Sequence, residues 1–153
     1  MPAIVPELIE MATKENTSTT ELLRKSLIVA ERLSLPDFYH WINNELSGYT
    51  DKTPPYRTHK GIPKLVNGSE IKFPLKIKRY AEIEQHLYIE VTESVPEIEA
   101  TIKYNGVICR TIKPLEGSVQ KSHHDHGYYP ATVLEKTKSK SILEAIKNEV
   151  LDR

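Results

Sequence analysis

Apolar residues in the first third of the chain recur every three or four positions, the spacing of helices. Pro6 to about Lys14 reads as a short first helix: Pro6 suits a first turn, where its missing N–H costs nothing, and Leu8, Ile9 and Met11 supply an apolar side. Glu15 to Ser18 is a polar break. Ser18 followed by Glu21 has the pattern of a capping box, which satisfies backbone donors that a helix start leaves orphaned. Leu22, Leu23, Leu27, Ile28, Ala30 and Leu33 then follow at helical spacing. Pro36 and Asp37 open a third helix, Phe38, Ile42 and Leu46 form its stripe, and Gly48 is placed to cap its end. Two of these helices packed face to face would bury both stripes.

After Tyr49 the pattern changes. Pro54-Pro55 forbids helix and marks a connector. Ile62–Val66 and Ile71–Leu75 are short extended runs on either side of Asn67-Gly68, a pair that favours a hairpin turn. Pro74 places the second run at a sheet edge or at a strand end. Leu87–Val91 alternates and predicts a strand. Ser94-Val95-Pro96-Glu97 opens a short helix that Asn105-Gly106 stops. Val107–Ile112 predicts a strand, 115–127 an exposed loop, and Tyr128–Leu134 a last strand interrupted by Pro130. Ser141–Leu151 is helical, with Ile142, Leu143, Ile146 and Val150 on one side.

These elements predict an α+β fold: an N-terminal helical hairpin of two to three helices on a small, mainly antiparallel sheet, with a C-terminal helix. Residues 1–153 read as one domain, with a helical part at 1–50, a strand-rich part at 56–135 and the last helix at 139–153. A chain of 153 residues is long enough to bury its own core. The final helical pattern is still running at the last residue, as in a piece of a longer protein.

Composition narrows the function classes. There are 21 basic and 21 acidic side chains, a balance unlike that of a dedicated nucleic-acid or membrane-surface module. The single cysteine, Cys109, excludes an internal disulfide framework and a cysteine-rich zinc site, and its apolar context predicts an inert thiol. No apolar run approaches the roughly 20 residues that span a bilayer. The first residues lack a basic leader and a long apolar core, and the expected compartment is the cytosol.

Candidate chemistry is sparse. His123-His124-Asp125-His126 carries metal-ligating types, yet neighbours in a strand point to opposite faces and adjacent loop ligands need a special turn. A solvated loop is the expectation there; a metal site on those four residues is the alternative. Trp41, Glu45 and Tyr49 share a face if the third helix continues to Tyr49. They then form an aromatic-and-acid surface for a partner, or else the aromatic rings pack on the sheet while Glu45 pairs with a base. Lys72, Lys76, Lys78 and Arg79 read as a charged edge strand that resists pairing with other chains; phosphate contact is the alternative. Glu93, Glu97 and Glu99 near a helix start are what the helix dipole favours. There is no nucleophile elbow and no phosphate-binding glycine loop.

The segment from Leu22-Leu23-Arg24-Lys25 through Ala30, Arg32-Leu33 and Leu35-Pro36 to Trp41-Ile42-Asn43-Asn44-Glu45-Leu46-Ser47-Gly48-Tyr49 resembles the signature of the AbiTii domain family of bacterial abortive-infection and phage-defence proteins. Pro55-Tyr56-Arg57, Glu93-Ser94 with Ile98-Glu99, and the helix from Ile142 to Leu151 extend the resemblance along nearly the whole chain. It implies a role in antiviral immunity and brings no active site. The expected function is a non-catalytic interaction or oligomerisation module, contacting its partner through Arg24, Trp41, Glu45 and Tyr49. The partner is a second copy, another defence-system protein or a phage component; nucleic acid, a membrane and a cofactor are not expected. The alternative is a toxic effector acting on nucleic acid or a nucleotide, with His124 or His126 and Glu93 as its acid–base groups.

Overall fold

The computed structural model describes residues 4–14, 17–67, 70–74, 84–112 and 129–152. Among these residues the fold is α+β, with five α-helices and two small antiparallel sheets. Helices α1 (Ile4–Thr13), α2 (Thr19–Arg32) and α3 (Pro36–Ser47) come first. Strands β1 (Thr58–Lys60), β2 (Ile62–Asn67), β3 (Glu70–Pro74) and β4 (Tyr88–Glu90) follow. Helix α4 (Val95–Lys103), strands β5 (Ile108–Thr111) and β6 (Tyr129–Leu134), and helix α5 (Lys136–Leu151) complete the order.

Local signals set the helix ends. Ser18 caps α2 by accepting from the Glu21 N–H, and the neighbouring Thr19 and Thr20 N–H groups donate to the Glu99 carboxylate of α4. The start of α2 is therefore tied to a helix about eighty residues away. Ser94 and Glu97 form a complete capping box at α4. Asn105, at φ 58°, takes the left-handed conformation that ends α4. Ile42, Leu22, Leu23, Ile98, Ile142 and Ile146 are fully buried in one cluster to which all five helices contribute. Each such side chain contributes about 1.5–3 kcal/mol of burial. Leu27 packs against the same cluster while partly exposed. Lys147 of α5 is also buried, and its ammonium donates to the Lys14 carbonyl at the end of α1.

The larger sheet has the order β3-β2-β6-β5, and β1 pairs with β4 in a separate ribbon. The β2–β3 hairpin forms where it is predicted, but Asn67 belongs to β2 and pairs with Glu70, so the strand runs one residue into the predicted Asn67-Gly68 turn; Gly68 and Ser69 lie outside the described residues. Pro74 ends edge strand β3. Pro130 does not interrupt β6. Its carbonyl accepts from the Ile112 N–H on the β5 side, so its missing N–H falls where β5 has already ended. The ribbon and the sheet meet at Gly61, whose N–H donates to the Leu87 carbonyl at 2.7 Å. A Cβ there would lie 2.6 Å from the Thr132 side chain and 2.7 Å from the Val133 carbonyl oxygen.

Three elements differ from the sequence pattern. Pro55–Arg57, expected as a connector, forms one 3-10 turn, because Pro55 stands at the first position, where a proline is tolerated. Strand β1 was hidden by its polar composition, Thr58-His59-Lys60. Helix α5 begins at Lys136, five residues before the predicted start: its first turns carry no large apolar residue, and Ser139 is what they bury.

Candidate functional site

Where the end of α3 meets the ribbon, a polar network replaces the apolar core. Glu45 and Arg57 are both fully buried. Arg57 Nε donates to Glu45 Oε2 at 3.0 Å and Nη2 donates to the same oxygen. Arg57 Nη1 donates to the Val91 carbonyl at 2.9 Å and to the Glu93 carbonyl at 2.7 Å. The other Glu45 oxygen accepts from the Tyr49 hydroxyl at 2.7 Å and from the Tyr56 hydroxyl. The Tyr56 oxygen in turn accepts from the Trp41 indole N–H at 2.9 Å. The Arg57 guanidinium also stands over the Tyr49 ring, 4.8 Å from its centroid, in cation–π geometry.

Both charges in this network are neutralised by each other, and each of their polar atoms has a hydrogen-bond partner, as burial demands. Among the described residues, no buried side-chain polar atom lacks a hydrogen-bond partner. Burial and the adjacent Glu45 carboxylate push the Tyr49 and Tyr56 hydroxyls well above the ordinary tyrosine range. Both therefore stay protonated and act as donors.

Helix α3 stops at Ser47, so Tyr49 does not join Trp41 and Glu45 by helical continuation. Gly48, at φ 94°, turns the chain, and a Cβ on it would lie 3.0 Å from the Thr92 carbonyl oxygen. The Tyr49 N–H donates to that same oxygen at 2.9 Å. The shared face exists, and a tertiary contact rather than helical periodicity makes it. Glu45 meets the outside only through the aromatic side chains it holds. Arg24 stands exposed on α2 and, among the described residues, makes no hydrogen bond or ion pair with the other three.

Outside this network, acidic groups are also engaged. Glu93 pairs with Arg110, and although burial works in the opposite direction, the guanidinium holds its carboxyl below the usual range. Glu99 accepts from Ser18, Thr19 and Thr20. Thr53 donates to Glu90 from both its backbone N–H and its hydroxyl, which lowers that carboxyl. Cys109 is half-buried, and burial raises its thiol above the ordinary value. His123, His124, Asp125 and His126 lie outside the described residues, as do Lys76, Lys78 and Arg79; Lys72 falls in edge strand β3. No cluster of metal-ligating side chains occurs among the described residues. No described helix is long and apolar enough to cross a membrane.

Two surfaces border the α3 region. An open groove of about 420 Å³ beside the network is lined by Asp37, His40, Trp41, Asn44, Tyr49, Lys52, Thr53 and Pro54. An apolar groove of about 250 Å³ lies between α1, the α2–α3 turn and the end of α5, where Ile9, Leu33, Leu35 and Leu151 are between 40% and 53% exposed.

The sequence pattern does not mark Arg57 and Tyr56 as site residues. A charged residue in a short polar stretch carries no mark of burial, and the only pointer to this pair was the resemblance of Pro55-Tyr56-Arg57 to a family pattern. The segments that carry that resemblance, Trp41 to Tyr49, Tyr56-Arg57 and Glu93-Ser94, converge on this one network. The AbiTii family model matches residues 3–153, essentially the whole chain. No curated protein and no solved structure matches.

Proposed function

We propose, given that this chain belongs to the AbiTii family, that it is a non-catalytic recognition module of a bacterial abortive-infection protein. The family supports the setting, phage defence. The observation that carries the finer reading is the Glu45–Arg57 network. Its ionisable groups are closed on one another, and what it presents outward is a pair of pinned aromatic side chains, Trp41 and Tyr49, beside an open groove. Preorganised aromatic anchors suit binding, because little side-chain entropy remains to be lost on contact. Arg24, exposed on α2, is proposed as a separate contact residue.

Self-association is a second reading, favoured by the apolar groove. Single exposed leucines are ordinary, but here Ile9, Leu33, Leu35 and Leu151 line one concavity that a second copy could cover. Light scattering across a concentration series is expected to show an oligomer that Leu33→Asp disperses. A monomer at all concentrations removes this reading.

The recognition reading is tested by phage plaque assays with the intact gene product. Trp41→Ala is expected to abolish protection with the protein level unchanged, whereas Glu93→Gln, His124→Ala and His126→Ala leave it intact. The reverse pattern, with toxicity lost in the histidine and Glu93 variants, supports the effector alternative and overturns the proposal.

A further inference from the structure

We infer that two copies of this chain pair through the exposed face of α2, antiparallel about a two-fold axis at Ile28, with Arg24 of each copy opposite Glu31 of the other. The inference rests on the self-association reading and gives that contact its surface and register.

The exposed strip of α2 carries it. Ile28 is 45% exposed at the middle of the strip. Arg24 lies four residues before it and Glu31 three residues after it, and both are exposed. By helical geometry the two fall within roughly 20° of one another on the same side of Ile28 and about 10 Å apart along the axis. That is too far for them to meet within one copy. Local partners do not take their place. Leu27, Ile28, Ser34 and Leu35 occupy the positions three and four away from Glu31. Among the described residues, neither the Arg24 nor the Glu31 side chain makes a hydrogen bond or an ion pair.

A two-fold axis changes this. Antiparallel α2 helices with Ile28 against Ile28 set residues before the centre of one copy against residues after the centre of the other. Arg24 then comes within about 1.5 Å, along the axis, of the level of Glu31 of the second copy, and on the same flank. Symmetry makes the pair twice. The opposite flank brings Lys25 towards Arg32, where both cations are already engaged: Lys25 binds Glu7 of α1, and Arg32 interacts within its own copy. The charge pattern favours a second copy over an unrelated partner, because one helix face supplies both members of the pair. Apolar surface continues the strip beyond Glu31. Exposed Leu35 and Tyr39 line a hollow of about 450 Å³ with Glu31, and Leu35 also lines the groove around Leu33. Strip and groove therefore form one continuous surface.

Sedimentation velocity on the full chain, across a concentration series, tests the register. Wild type is expected to dimerise, and more weakly at high salt. Arg24→Glu and Glu31→Arg each set like charges across the axis and are expected to weaken dimerisation about tenfold. Mixed together, the two single variants oppose unlike charges again and are expected to associate with each other. The Arg24→Glu/Glu31→Arg double variant is expected to recover the wild-type dimer. Thermal melts matching wild type would show the variants folded, and a merely structural effect of either change would not be repaired by mixing. A dimer indifferent to both single variants, or a loss that neither mixing nor the double variant restores, would overturn the inference. If Leu33→Asp still disperses that dimer, self-association stands with a different register; a monomeric wild type removes both.

Discussion

Two glutamate–arginine pairs sit close together in this fold and live in opposite environments. Glu45 and Arg57 are wholly buried, whereas Glu93 and Arg110 remain 25% and 40% exposed. They are linked through one residue, since the Glu93 backbone carbonyl accepts from Arg57 while its carboxylate holds Arg110. The comparison shows how solvent decides what an ion pair does. At the surface, water competes for both ions and the pair is a small, salt-sensitive increment. In the interior each ion exists only because the other does, and the surrounding hydroxyls and carbonyls become compulsory partners.

The comparison is broken most forcefully at Arg57. Arg57→Ala leaves the Glu45 carboxylate buried without a counter-charge and is expected to cost about 3–5 kcal/mol in urea unfolding. Replacing both residues with methionine removes both charges but takes the partners from the Tyr49 and Tyr56 hydroxyls and the Val91 and Glu93 carbonyls, so it should recover only part of that loss. A single-variant cost below about 1 kcal/mol would mean that burial confers no special weight on the pair. The next largest effect is at Tyr56. Tyr56→Phe takes a donor from Glu45 and an acceptor from Trp41. A loss of about 1.5–3 kcal/mol is expected, as for a hydrogen bond to a charged group, with a shift in Trp41 emission.

Alkaline pH sharpens the same contrast. Tyr49 and Tyr56 have raised values in the folded state, so the folded chain holds these protons more tightly than the unfolded chain. Their contribution is complete below the unfolded tyrosine value of about 10 and is lost as pH rises beyond it. Stability is therefore expected to fall more steeply above pH 10 than it would with tyrosines of ordinary value. A Tyr49→Phe/Tyr56→Phe double variant should show a shallower decline in chemical unfolding between pH 9 and 11.

The smallest effect belongs to the exposed pair. Glu93→Gln is expected to cost less than about 1 kcal/mol and to lose even that at high salt. Because the Glu93 carboxyl is lowered in the folded state, its contribution is present above the unfolded glutamate value of about 4.3 and disappears as pH falls through the folded one. Thermal melts of wild type and variant should therefore converge at acid pH.

What the sequence by itself determined is the set of elements whose causes are local. Ser94 and Glu97 cap α4 because both partners lie within one turn; Pro36 starts α3 and Gly48 ends it for the same reason. The stripe that puts Ile42 inward follows from helical periodicity, and Asn67-Gly68 marked the β2–β3 hairpin. The α+β architecture and the family were accessible at this level. Tertiary structure alone decided the polar network. Arg57 is a charged side chain in a short polar segment, and only the joint approach of Glu45, the Val91 and Glu93 carbonyls and the Tyr49 ring makes its burial tolerable. Tyr49 reaches Glu45 across a helix end, through the Thr92 contact that Gly48 permits. The physical reason is the range of the forces involved: capping and periodicity act within a few residues, whereas the desolvation of a charge is settled by whatever the whole chain folds around it.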